Sequence, residues 1–210
     1  GDDAVFTNEA GARIEVNILA PSDPGGVGID VGNDGMVSNQ GVVTVGGDNS
    51  IGIRMGNGTT EIPLVMPPDP PAAQTEALNG GTVEVTGDGS TGILAGDNNE
   101  FRNRGLVSAD GAGAIGIDLA TGNTFTNELS VSVDGDNVIG LRSNGANTII
   151  NDGNLLATDD DTTPVAIQGS ASVEILENRG ALEGKVNLAG GDDEVTLFTG
   201  SSLTHLAGGT

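Results

Sequence analysis

The sequence contains no cysteine, tryptophan or tyrosine, and its only aromatic residues are four phenylalanines in 210 positions. Without cysteine there is no disulfide framework, and four rings cannot build a conventional core of large aromatics. Basic residues are nearly as scarce: seven Lys and Arg stand against 30 Asp and Glu, a formal net charge of −23. So acidic a chain repels phosphate instead of displacing counterions from it, which argues against nucleic acid as a partner; anionic lipid surfaces are disfavoured for the same reason. No apolar run approaches the roughly 18 residues that a membrane helix needs, so direct membrane insertion of this stretch is not expected. Gly1 opens onto Asp2 and Asp3, and any export signal is expected to lie outside this sequence.

What the chain does contain is regular. The dipeptides Gly28-Ile29, Gly52-Ile53, Gly92-Ile93, Gly116-Ile117 and Gly140-Leu141 are spaced by 24, 40, 24 and 24 residues, and Ala166-Ile167 follows after 26. An independent series, Asn8, Asn39, Asn79, Asn103, Asn127, Asn151 and Asn178, is spaced by 31, 40, 24, 24, 24 and 27. Both series stretch by the same 16 residues at the same place, so one repeat of about 24 residues runs through the chain.

Within each repeat an apolar residue stands two positions before the Asn, as in Phe6, Val37, Phe101, Phe125, Ile149 and Leu176. Alternating pairs follow it, such as Val83 with Val85 and Val131 with Val133, and then a third alternating run such as Ile115, Ile117 and Leu119. Alternation at two is strand periodicity. Gly32, Gly56, Gly96 and Asn144 after the third run suit left-handed corners. Three short strands and three corners per 24 residues predict an all-β parallel β-solenoid of about seven coils, its inward Val, Ile and Phe stacked in columns. The Asn series is expected to form a ladder of side-chain amides along the stack. The whole of 1–210 reads as one solenoid domain, with insertions at about 20–26 and 61–76 and more divergent coils over 181–210.

The copies Asn79-Gly80-Gly81-Thr82-Val83-Glu84-Val85-Thr86-Gly87-Asp88-Gly89-Ser90-Thr91-Gly92-Ile93 and Asn39 to Ile53 resemble repeats in the passenger domains of bacterial autotransporters and related large surface adhesins. The stretch Gly184-Lys185-Val186-Asn187-Leu188, with Gly190 to Leu197, is similar to one that such passengers carry near their C-terminal portion. The resemblance implies a right-handed parallel β-helix, exported to the surface of a Gram-negative cell, which adheres to a host or bacterial surface component or self-associates. Its motifs specify a coil and no ligand.

Candidate sites are few. The 61–76 insertion carries Pro63, Pro67, Pro68, Pro70 and Pro71, which cannot donate ladder hydrogen bonds. It is expected to project as an extended arm, and Ile62, Leu64, Val65 and Met66, with Pro67, Pro68, Pro70 and Pro71, form a candidate contact surface; the competing reading folds the arm back on the solenoid flank. Asp48, Asp88 and Asp136 recur in one turn, and stacked carboxylates could take Ca²⁺. Asp192 and Asp193 lie in Gly190 to Leu197, one imperfect copy of a glycine-rich Ca²⁺ nonapeptide. The competing reading is a solvated acidic face that limits aggregation, with no cofactor. Catalysis has little support: His205 is the one histidine, and no Gly-rich stretch ends in the Lys-Ser or Lys-Thr of a phosphate loop. The alternative function is a polysaccharide-active β-helix enzyme, a lyase or glycosidase, but sugar subsites normally use aromatic platforms that are missing here.

Overall fold

Alternating apolar residues at a fixed 24-residue period can bury their inward faces only by stacking, and the computed structural model shows that stack. It describes residues 4–17, 25–61, 79–158 and 164–207. Every strand pairing is parallel, and each joins a strand to its equivalent in the next coil. The first strands of the coils form an eight-stranded sheet running from Val5–Asn8 to Glu194–Leu197. The second and third strands form two further stacks, joined at the far end into one 14-stranded sheet.

Three strands per coil hold for the first six coils; coil five, for example, is Thr124–Asn127, Ser130–Asp134 and Ile139–Ser143. In coil seven the corner between second and third strands has shrunk to Gly184, at φ +115°. One seven-residue strand, Ala181–Asn187, therefore pairs with both Asn154–Thr158 and Val165–Gln168. Coil eight repeats this with Ser202–Ala207. The eighth coil is invisible to the Asn series because Leu197 stands where its Asn would be.

The core is a set of vertical columns. Phe101 pairs with Phe125 in register, their ring centroids 5.0 Å apart and tilted by 40°. Ile53, Ile93, Ile117 and Leu141 stack in the third-strand column, and all four are fully buried. The Gly beside each of them is dictated by close approach. A Cβ at Gly116 would meet Val131 Cγ1 at 2.5 Å and the Gly140 carbonyl oxygen at 2.6 Å. Ala166 breaks this column, and there the ladder to the next strand shifts register between Val165 and Ile167.

The expected left-handed corners are displaced by two residues. Gly32, Gly56 and Gly96 do not have positive φ, whereas Asp34, Gly58 and Asn98 do; Asn144 lacks it too, with no positive φ two residues on at Ala146. Gly56 and Gly96 are glycine for space instead, since a Cβ would fall 2.6 Å from the Gly32 carbonyl carbon and 2.4 Å from Asn57 Oδ1 respectively.

Phe125 is fully buried between Phe101 and Ile149 in its column. We expect Phe125→Ala to lower unfolding stability by about 3–5 kcal/mol, measured by denaturant titration; an unchanged midpoint would place this column in solvent.

Candidate functional site

The polar side chains that repeat with the coils converge on three vertical lines, and the first is the Asn ladder. Nδ2 of each Asn donates to Oδ1 of the Asn one coil on: Asn8 to Asn39 at 2.7 Å, Asn39 to Asn79 at 2.8 Å, Asn79 to Asn103 at 2.9 Å and Asn103 to Asn127 at 3.0 Å. Asn127 to Asn151 and Asn151 to Asn178 follow, both at 2.8 Å. The same Nδ2 also reaches a main-chain carbonyl of the next coil, as from Asn127 to Asn154 at 2.9 Å. At the last rung Asn178 donates to the Ser202 carbonyl at 3.1 Å. From Asn39 to Asn178 these residues are fully buried, and their amides are occupied by one another. They hold the coils in register and leave nothing for a ligand.

The second line runs along the corner between second and third strands, where Asp48, Asp88 and Asp136 were expected to align. Asp48 and Asp88 are neighbours in it: Asp48 Oδ1 accepts the main-chain N–H of Asp88 at 3.1 Å, and Asp88 Oδ1 accepts that of Ala112 at 3.0 Å. Asp136 stands one coil beyond Ala112, whose methyl interrupts the run of carboxylates. Asp192 is exposed, and Asp193 Oδ1 accepts the main-chain N–H of Glu174 at 3.0 Å. Among the described residues no three Asp, Glu or His side chains converge as a metal-ion ligand set. The contact-surface candidates Ile62, Leu64, Val65, Met66, Pro67, Pro68, Pro70 and Pro71 lie outside the described residues.

The third line is one that the sequence reading passed over. At the corner leading into each first strand, Asn99, Asn123 and Asn147 are buried and stacked. Asn123 Oδ1 accepts the N–H of Asn99 at 2.8 Å, and Asn147 Oδ1 accepts that of Asn123 at 2.7 Å. Here the side chain caps a main-chain donor, whereas in the first ladder it meets another side chain. The 24-residue spacing of these three Asn was present in the sequence, but only over three copies: Thr59 precedes them and Glu174 follows. Glu174 is fully buried, the one carboxylate in this line so enclosed.

Charge is arranged by the same vertical logic. Arg54 is bonded to Asp30 and Arg142 to Asp118 on the outer face of the third strands, in each case one coil apart. Arg104 reaches Glu128 at 2.7 Å, and Arg179 reaches Glu177 at 2.6 Å and Asp152 at 3.2 Å. The bond from Arg54 holds the Asp30 carboxyl below the usual carboxylate range, against a smaller cost of burial. Asp118 is the most enclosed of these acids and also accepts from Asn144 Nδ2 at 2.7 Å. On the second-strand face Glu84, Asp110 and Asp134 are exposed, and Asp110 pairs with Asp134 in register.

One shallow cleft of about 330 Å³ opens over coils five to seven, lined by Gly122, Asn123, Thr124, Ala146, Asn147, Thr148, Val173 and Ile175. Its lining includes no carboxylate, imidazole or amine; its side-chain polar groups are the Asn123 and Asn147 amides and the Thr124 and Thr148 hydroxyls. His205 lies exposed on the last strand, in register with Lys185. No protein-family model, curated protein or solved structure matches the chain.

Two substitutions separate the register role of these lines from ligand binding. Asn127→Ala should cost about 1–3 kcal/mol, because it orphans the Asn103 amide hydrogen and the Asn151 oxygen. Asp88→Asn keeps an Oδ1 acceptor for Ala112 and should leave the melting temperature within a few degrees of the parent in both EDTA and Ca²⁺. A parent stabilised by Ca²⁺ and a variant indifferent to it would instead make Asp88 a ligand.

Proposed function

We propose that this chain is a non-catalytic structural and adhesive module: an exported, cell-surface β-solenoid that spaces or presents contact sites for adhesion to a host or bacterial surface component, or for self-association. The observation that carries this reading is where the polar chemistry sits. Buried Asn and corner Asp side chains are occupied by coil-to-coil hydrogen bonds, which makes a stiff rod, and the polar outer faces are left to meet the surroundings. The resemblance of the repeats to autotransporter passengers points to the surface of a Gram-negative cell. A polysaccharide-cleaving β-helix would need carboxylates gathered across one face around a sugar. The corner acids Asp48 and Asp88 instead follow one vertical line, bonded to main-chain N–H groups, and Asp30, Asp118 and Glu128 are each paired with an Arg of a neighbouring coil.

The test uses the insertion. Thr60–Glu61 sits in the first-strand sheet between Met36 and Glu100, and Asn79 is back in the ladder between Asn39 and Asn103. The separation of 40 residues across this coil, against 24 elsewhere, leaves sixteen to remove. Deleting 61–76 joins Thr60 to Ala77-Leu78-Asn79, which matches Glu100-Phe101-Arg102-Asn103 in pattern. Loop-closure cost changes slowly with length, so stability should stay within about 1 kcal/mol of the parent. Attachment or self-aggregation of cells displaying the deleted protein should fall several-fold. Full adhesion by a deletion variant shown to be folded would remove the arm as the contact site.

A further inference from the structure

The third vertical line ends in an anomaly. Asn99, Asn123 and Asn147 are neutral amides, but the next coil places Glu174 above Asn147, with no surface exposed. Its Oε1 accepts three hydrogen bonds, from the Ser170 main-chain N–H at 3.1 Å, the Ser170 hydroxyl at 2.8 Å and the Ser143 hydroxyl at 3.3 Å. Its Oε2 is buried and has no partner. One coil further on, Asp193 Oδ1 accepts the N–H of Glu174 itself, which brings a second carboxylate against this residue. Of the groups facing Glu174, Ser143 and Asn147 come from the coil below, Ser170 from the adjoining corner and Asp193 from the coil above. Asp193 is the one titratable group among them, and none is basic.

A charge enclosed in this way, beside a like charge and with one oxygen unsolvated, is costly; a neutral carboxyl with its proton on Oε2 is far less so. The position also matters. Glu174 lies where the three-strand coils give way to the two-strand coils, joining the corner after Val165–Gln168 to the loop before Glu194–Leu197.

We propose that Glu174 is a proton-operated latch for the last two coils: while its carboxyl is protonated, Ile175–Ala207 stays docked on the body of the solenoid, and when the proton leaves, this end loosens. Burial, chiefly, and then the Asp193 carboxylate hold the acid above its ordinary 4.5, while the Ser170 bonds oppose them. The sign follows. A group whose folded-state value is raised adds stability that is complete below the ordinary value and is lost as pH rises through the raised one. In a stack whose coils contact only their neighbours, the loss stays local to the end. This inference does not depend on the adhesive reading.

Hydrogen exchange of the 210-residue chain between pH 4 and 9, corrected for the intrinsic pH dependence of exchange, tests it. Amides of Ile175–Asn178, Ala181–Asn187 and Glu194–Leu197 should lose about tenfold or more in protection in one step above pH 4.5, while those of coils four and five stay level. Those two coils also control for the general repulsion of so acidic a chain. Glu174→Gln, which keeps the shape and removes the titration, should abolish the step. Asp193→Asn, which removes the neighbouring charge, should move it to lower pH. A parent without the step, a step shared equally by all coils, or one that survives Glu174→Gln would overturn the latch. Should Glu174→Gln fail to fold, the Asp193→Asn arm decides, and an unmoved step there overturns it as well.

Discussion

In the ladder from Asn8 to Asn178 a side-chain amide is satisfied by the same amide one coil away, and the register of the stack follows from that. Asn127 receives from Asn103 and gives to Asn151, so both its oxygen and its nitrogen depend on neighbours 24 residues off in either direction. Burying an unpaired amide costs several kcal/mol. A coil that slipped by one residue would break the ladder and also turn every inward Val and Ile outward. Register is thus fixed twice, by polar satisfaction at the corner and by apolar burial along the strands. Where the spacing lengthens to 40 residues the same rung is kept: Glu61 pairs in the first-strand sheet, and Asn79 stands in the ladder between Asn39 and Asn103.

The same constraint explains which parts of the fold were legible in the sequence. The strands, their parallel pairing and the core columns could all be read because stacking demands the same residue class at the same interval. Phe101 over Phe125 and Asn103 over Asn127 are the outcome. The corners were less legible. A glycine there serves either a left-handed backbone or a close approach, and composition does not distinguish them: Gly58 does the first, Gly56 the second. The Asn99 line escaped because three copies between Thr59 and Glu174 make a short series. The merging of second and third strands in the last two coils escaped because it depends on a deletion within a corner, and a deletion leaves no residue to notice. As for the candidate sites, Asp48, Asp88 and Asp136 share one corner line, but the partners of Asp48 and Asp88 are main-chain N–H groups that a sequence does not display.

The end of the solenoid is where these rules relax. In coil seven the corner contracts to Gly184 and Glu174 takes the place of a neutral amide, and in coil eight Leu197 takes the Asn place. Outer residues such as Leu197, Phe198 and Leu206 are partly exposed, and Arg179 lies over the Phe198 ring at 4.0 Å. Stability in a stacked array is a sum over neighbouring pairs, so a change in one coil acts on the interfaces that coil shares with its neighbours.

Charge can accumulate on such a rod because its geometry limits what each charge costs. Two exposed carboxylates one coil apart, about 4.8 Å, repel by only about 1 kcal/mol in water, less in salt. A vertical acidic line such as Asp110 and Asp134 is therefore tolerable as long as it faces solvent. Asp118, which is drawn inward, is met by Arg142 and Asn144 from the next coil. Parallel strands stacked this regularly could add further strands at an open edge, and a surface of one sign keeps the flanks of two such rods apart. Strong net charge of one sign thus opposes the lateral association to which a repetitive β-stack is otherwise prone.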